Sequence, residues 1–316
     1  MARTFQFICL IGLAALCLAA GDLQTASPKS QVRVDALVWS TMHFYRFGAA
    51  GLYRNEFALE RMSSLVGLTG TIGRVASARI SVDAGYLQPQ DIDVDLRPGG
   101  SFLLRVGQFV LPVGMDAMTS PAELPFVTNS LMDNYAKPYG ARDIGILASW
   151  ERATFAAVAA VVNGSGPNVA DDNGRKDVCG RVVLRPFSSI GLQIALRAYW
   201  GWPGTSDSAW QTAAAEAALD VGRFSVQTEH QVHSYSDVRN YAGYVLLRYS
   251  AGSLDPCGRI EWVEPRGHEP EVMVMVGPDF HALDGHMKMI LDGFYRRDYQ
   301  VNSIVYGFVF RLQAEI

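Results

Sequence analysis

The sequence predicts an all-β fold, a transmembrane antiparallel β-barrel of about sixteen strands with a long, inward-folding third surface loop. Three observations carry that expectation. The chain of 316 residues is 49% hydrophobic but only 18% charged, where soluble domains carry roughly 25% charged residues. Its apolar residues fall at every second position rather than in blocks. Many of the alternating runs are long enough to match the roughly 9–11 residues a tilted strand needs to cross a bilayer, whereas strands of soluble domains average about 5–6.

Residues 1–21 read as a secretory signal peptide, with cleavage expected between 19 and 26. Arg3 supplies the positive start, residues 5–18 are apolar, and Ala19, Ala20 and Gly21 are small. Residues 27–316 then form one barrel domain. Cys9 and Cys17 leave with the leader. Cys179 and Cys257 remain, match no metal-ligand spacing, and read as two inert thiols. After the leader no run approaches the roughly 18 apolar residues of a spanning helix. The composition excludes disorder. The few cysteines exclude a disulfide scaffold. A net charge of −4 excludes a simple nucleic-acid binder, which needs a basic footprint.

The alternation places strands near 32–42, 57–69, 74–86, 90–97, 101–111, 142–150, 153–163, 175–186, 189–201, 208–219, 223–233, 238–250, 257–264, 271–277, 286–297 and 301–315. Twelve and fourteen are the alternative counts. Residues 223–233 show the pattern plainly: Phe224, Val226, Thr228, His230 and Val232 alternate with Arg223, Ser225, Gln227, Glu229, Gln231 and His233. Every second connection is short and turn-like, as at Pro98-Gly99-Gly100. The long connections, residues 43–56, 112–141 and 163–174, fall on the other end, the asymmetry expected of a membrane barrel. Residues 211–219 are alanine-rich and would suit a helix by propensity. Residues 277–285 are long for a short-side turn. Trp39, Trp150, Trp200 and Trp262 fit interfacial girdles.

Residues 112–141 are the longest stretch without periodicity, and such loops are usually functional or disordered. The anchors Met115, Leu124, Phe126, Leu131 and Tyr135 argue against disorder. The loop is expected to fold inward as a constriction bearing Asp116, Glu123, Asp133 and Lys137.

By parity the lumen face carries Arg33, Arg79, Arg105, Arg181, Arg185, Arg197, Arg223, Arg248 and Arg259, with Lys288, Arg296 and Arg311. These are the candidate anion path, because rings of arginine select anions. The same face carries Asp35, Asp83, Asp91, Asp93, Asp95, Asp143, Asp177, Glu216, Glu229, Glu261 and Asp292, so its charge comes out near neutral. No serine or cysteine sits in a nucleophile motif, and His230 and His233 fall on opposite faces of one strand. No catalytic residue, cofactor or metal site is expected.

The stretch Leu103-Leu104-Arg105-Val106-Gly107-Gln108-Phe109-Val110-Leu111-Pro112-Val113-Gly114 resembles the "R-x-G-Q-F-x-x-P-F-G" segment of the phosphate-selective porin O/P family. Arg142-Asp143-Ile144-Gly145 resembles that family's "R-D-I-G" strand opening. Weaker similarities follow in order: residues 159–164, Ala215-Glu216 with residues 224–229, and Arg311-Leu312-Gln313. Val113 replaces the family's usual phenylalanine, and Ile316 stands where such chains commonly end in phenylalanine. The resemblance implies a sixteen-stranded homotrimeric porin in the bacterial outer membrane. The function expected is passive diffusion of small polar or anionic solutes, with phosphate one candidate. The alternatives are a structural or plugged barrel and, further off, an outer-membrane enzyme.

Overall fold

The computed structural model describes residues 30–49, 52–59, 63–264, 269–298 and 303–315. The expected signal peptide and its cleavage region lie outside them, as does Ile316.

Period-two sequence becomes strand throughout. The segments are β1 (Gln31–Ala49), β2 (Leu52–Leu59), β3 (Ser63–Ile72), β4 (Ala76–Asp83), β5 (Gln88–Gly99) and β6 (Phe102–Val110). After the long loop come β7 (Arg142–Glu151), β8 (Phe155–Val162), β9 (Asp177–Phe187), β10 (Leu192–Gly201), β11 (Trp210–Val221) and β12 (Phe224–Tyr235). The chain ends with β13 (Val238–Tyr249), β14 (Leu254–Glu264), β15 (Glu271–Ala282), β16 (Met287–Asp298) and β17 (Ser303–Glu315). Two single helical turns, α1 (Met115–Met118) and α2 (Asp133–Ala136), lie in the loop.

Apart from β2 and β3, each strand pairs antiparallel with its sequence neighbour in one sheet. The seventeen segments make sixteen staves, because β2 and β3 share one. β2 pairs with the second half of β1, from Met42↔Leu59 to Ala49↔Leu52. β3 pairs with the first half, from Gln31↔Thr71 to Trp39↔Ser63. The other edge of β1 pairs with β17, from Leu37↔Glu315 to Ala49↔Ser303. The sheet therefore closes on itself as a barrel, with no edge strand among the described residues, the condition a sheet must meet in hydrocarbon.

The two faces separate as parity requires. On β10, Ile194, Leu196, Ala198 and Trp200 are exposed on the outer wall, while Ala195, Arg197 and Tyr199 are buried inside. The buried residues include many charged groups: Asp91, Asp93, Asp95, Asp143, Asp177, Glu216, Glu229, Glu261 and Asp292 all face the interior. An apolar outer wall around a polar interior is the membrane-barrel arrangement. Aromatic residues mark both rims of the outer wall, with Phe224 against Tyr249 (4.8 Å between ring centroids) at the short-turn end and exposed Trp200 and Tyr241 at the other.

Several local expectations are corrected. Residues 43–56 are not a long loop, because β1 continues to Ala49, β2 begins at Leu52, and these two residues are paired. Residues 277–285 are not a long turn either. β15 runs through Gly277 and Pro278 to Ala282, with Pro278 opposite Pro256. Turn-type residues are held in the sheet there by pairing with β14, and by pairing with β16 at the residues flanking them. The alanine-rich 211–219 stretch is strand β11, because cross-strand partners outweigh helix propensity. Trp39 faces inward, where the Arg311 guanidinium lies 5.4 Å from its ring, so it belongs to no girdle.

Candidate functional site

The loop between β6 and β7 enters the barrel and runs round its inner wall. Phe109 on β6, with Leu111, Val113 and Ala136 at the loop's two ends, packs against Leu147, Val162, Cys179 and Tyr199 on β7 to β10. Its middle, Phe126, Leu131 and Met132, packs against Tyr244, Leu246, Met273 and Met275 on β13 and β15.

Buried backbone N–H groups need partners, and the wall provides carboxylates. Met115 N donates to Glu229 Oε2 (3.0 Å), Val127 N to Asp292 Oδ2 (2.9 Å) and Leu131 N to Glu261 Oε2 (2.5 Å). Wall donors reach loop carbonyls in return: Gln231 to Met132 (2.9 Å), Arg259 to Thr128 (2.9 Å), Lys288 to Leu124 (2.6 Å) and Gln313 to Ala122 (2.9 Å). Hydrogen bonds to charged groups contribute about 1.5–3 kcal/mol each, so this ladder, together with the apolar packing, offsets part of the ordering cost of a segment without regular structure.

Two ion pairs lock the loop. Arg259 Nη1 lies 2.8 Å from Asp116 Oδ2 while its Nε bonds Glu261 Oε1 at 2.7 Å. Its guanidinium also lies 4.9 Å from the Phe126 ring. Lys137 Nζ lies 2.8 Å from Asp143 Oδ2, both sealed from water. Of the four loop residues predicted to form a constriction, Asp116 and Lys137 are thus buried anchors and do not face an aqueous path. Glu123 is exposed near the loop tip. Asp133 is half-buried and accepts from Asn129 Nδ2 at 3.0 Å. Burial, and after it the Asp116 and Glu229 charges, pushes the Asp133 carboxyl up to about 7.

Apart from Lys137 on Asp143 of β7, the loop's hydrogen bonds to the wall run to β12 and β14 to β17. A second charged group lies across the barrel, on β4 to β7. Arg105 forks onto Asp95 with bonds of 2.7 and 3.0 Å, and its Nε lies 3.5 Å from Asp93. Arg97 Nη2 bonds Asp95 at 3.0 Å. Arg79 Nη2 and Arg142 Nε take opposite oxygens of Asp91 at 3.2 and 2.9 Å. Four guanidiniums here meet three carboxylates, an excess of one positive charge.

Depth matters more than that sum. The Arg79 side chain is 45% exposed over an Asp91 that is 5% exposed, and Arg105 is 25% exposed over an Asp93 that is 3% exposed. A guanidinium on its long stem reaches the water while a short aspartate stays at the wall. The same layering holds for Arg181 over Glu216 and Arg248 over Asp255. At these four pairs the cation is the group that faces the solvent, with its carboxylate behind it.

The remaining predicted path residues fall in different places. Arg33 pairs with Asp35 at 3.0 Å near the short-turn end of β1. Arg185 pairs with Glu151 at the same end of the barrel. Arg197 is buried between Glu216 and Glu229, and Arg259 is buried under the loop. Arg223 lies in the turn between β11 and β12 rather than on a lumen face. Sequence reasoning missed Arg97 and Arg142. Arg97 shares the face of Asp95. Arg142 has outward parity, but it is the first residue after the loop, where the chain is still turning into β7.

A closed antiparallel barrel with an apolar outer wall, a charged lumen and an internal loop is the porin fold. Solved structures agree. An anion-selective porin from Comamonas acidovorans is 14% identical, with 91% of this chain covering 100% of that one at a TM-score of 0.71. The outer membrane channel DcaP of Acinetobacter baumannii is 10% identical, at 92% and 100% coverage and a TM-score of 0.68. The trimer form of OmpT, an outer membrane protein of Vibrio cholerae, is 9% identical, at 91% and 99% coverage and 0.64. No family model and no curated protein matches the chain.

Proposed function

We propose that this chain is a porin of the bacterial outer membrane, forming a water-filled channel for passive diffusion of small solutes with preference for anions. The observation that carries the preference is the layering of the lumen, with guanidiniums toward water and their carboxylates behind them. Arginine suits oxyanions because its planar fork binds them bidentately. The resemblance of residues 103–114 and 142–145 to phosphate-selective porins adds phosphate to the candidate solutes. Likeness to a trimeric outer-membrane protein supports a homotrimer.

Stepwise current from the purified protein in a planar bilayer tests the channel. A reversal potential in a salt gradient that reports anion flux, and reduction of chloride current by added phosphate, test the preference. The loop's dense attachment to the wall favours a second reading, a plugged structural barrel, and absence of any current would establish it over the first.

A further inference from the structure

The outer wall of β9 to β13 is not evenly convex. It carries a groove of about 740 Å³ lined by Val178, Gly180, Ala198, Trp200, Ala213 and Tyr241, among others. That volume lies within the roughly 300–1,000 Å³ of ligand sites.

Strand register explains the groove. Three cross-strand rows of outward residues follow one another down the wall from the long-loop rim. The first is Val178, Trp200, Gln211, Ser234 and Arg239. The second is Gly180, Ala198, Ala213, Val232 and Tyr241. The third is Val182, Leu196, Ala215, His230 and Gly243. Gly180, Ala198 and Ala213 form a floor of small residues. Trp200 stands above that floor, Leu196 and Val182 stand below it, and Val232 with Tyr241 closes one side.

The mouth is charged. Arg239, exposed in the rim row, has no carboxylate or other partner among the described residues. Arg175 and Lys176, on the loop before β9, are by contrast paired with Asp207 and Asp171. The groove thus offers an apolar trough running inward from the rim and one unneutralised guanidinium at its outer end, beside two aromatic side chains of the type found at membrane interfaces.

We propose that this groove is a specific site for a phosphorylated, acyl-chain-bearing lipid of the outer leaflet. An acyl chain lies on the Gly180–Ala198–Ala213 floor, and the phosphate meets Arg239. The proposal rests on the membrane orientation of the porin reading, with the long-loop end outward. A bulk lipid would cover any part of the wall without preference. A site binds one headgroup charge and is blocked by filling the floor.

The experiment incubates the detergent-solubilised full-length protein with bisphosphorylated lipid A, or with the same lipid after phosphatase treatment, and counts retained lipid by native mass spectrometry. Wild type, Ala213→Leu, Ala198→Leu and Arg239→Gln are compared, and each is first checked for folded, heat-modifiable migration in gels. Wild type is expected to retain the phosphorylated lipid several-fold better than the dephosphorylated one. Either leucine variant should lose that retention several-fold, and Arg239→Gln should bind both lipids alike. Equal retention by wild type and both folded leucine variants overturns the proposal, as does indifference of wild type to the phosphates. Dissociation of wild-type oligomers by either leucine substitution assigns the groove to a contact between copies and also overturns it. Bilayer current is recorded for all four proteins. The substituted residues face away from the lumen, so a wild type that conducts nothing speaks against the porin reading, whereas conducting proteins without the lipid differences speak against the lipid site alone.

Discussion

Arg259 Nη1 donates to Asp116 Oδ2 across 2.8 Å, joining residues 143 positions apart. One guanidinium thereby holds the loop against β14, and it does so with no exposure to water. Breaking such a buried pair by removing one partner costs about 3–5 kcal/mol, because the other charge is left uncompensated. Arg259→Ala is expected to lower the unfolding temperature, measured by gel heat-modifiability, and to give a larger and noisier single-channel conductance as the loop loosens. The double variant Asp116→Leu, Arg259→Met should be less destabilised than Arg259→Ala. Unchanged conductance in a folded Arg259→Ala protein would separate the loop from the permeation path.

Arg105 and Arg142 test the layered lumen. Replacing either with glutamine uncovers Asp93, Asp95 or Asp91 without adding a charge. At contact distance a unit charge in water is worth about 1 kcal/mol, so the anion-to-cation permeability ratio should fall severalfold for each. Arg259→Met, under the loop, should shift it less. The wild-type preference should also weaken between 0.1 and 1 M salt, where the Debye length falls from about 10 to 3 Å. A reversal potential indifferent to both arginines places the current elsewhere.

Asp133 makes the loop's attachment depend on pH. Its carboxyl is pushed from 3.8 to about 7, chiefly by burial, then by Asp116 and Glu229, against the pull of Asn129 and Arg197. The folded loop thus holds the proton more tightly than the released chain. The resulting stabilisation is full in acid, below the ordinary aspartate range, and is lost as pH rises through about 7. Current noise from the loop should therefore increase over that window, and Asp133→Asn should flatten the profile. A wild-type profile already flat would remove Asp133 from this role.

Gly107 and Gly145 face each other across β6 and β7. A Cβ on Gly107, whose φ is +134°, would lie 2.1 Å from Ile92 O, and one on Gly145 would lie 2.2 Å from Val161 O. Neither backbone oxygen can swing aside. Gly107→Ala and Gly145→Ala should each lose about 1–3 kcal/mol or more, read as reduced refolding yield into detergent micelles. Gly100→Ala, with open space around it, should refold as wild type.

The barrel was legible because each lipid-facing position must be apolar and each neighbour need not be, which writes period two into the sequence. Where pairing fixes a strand, the local signal can be overridden, as along the alanines of β11, paired on both sides, and at Gly277-Pro278 on β15, paired with β14. The loop's inward course was foreshadowed by its apolar anchors, Phe126 and Leu131. Parity was less informative about the lumen. It assigns a face but no depth, and so it could not separate Arg105, which reaches water, from Arg197 and Arg259, which are sealed. It also counted Glu229, Glu261 and Asp292 as lumen charge, although their oxygens accept from loop amides. Arg142 escaped because the chain had not yet settled into β7's alternation. The one usable cue was side-chain length, since arginine outreaches aspartate from the same wall.

The closing seam has a kinetic side. β1 bonds β17 on one edge and both β2 and β3 on the other, so Thr41 and Arg311 meet from 270 positions apart. Contacts this distant in sequence are slow to form. Until β17 arrives, β1 presents a bare edge able to template aggregation. Insertion strand by strand from β1 would leave that edge bare over most of the sequence. The pairing of β1 with β17 instead favours late, cooperative membrane insertion, with the two sides of the seam closing together.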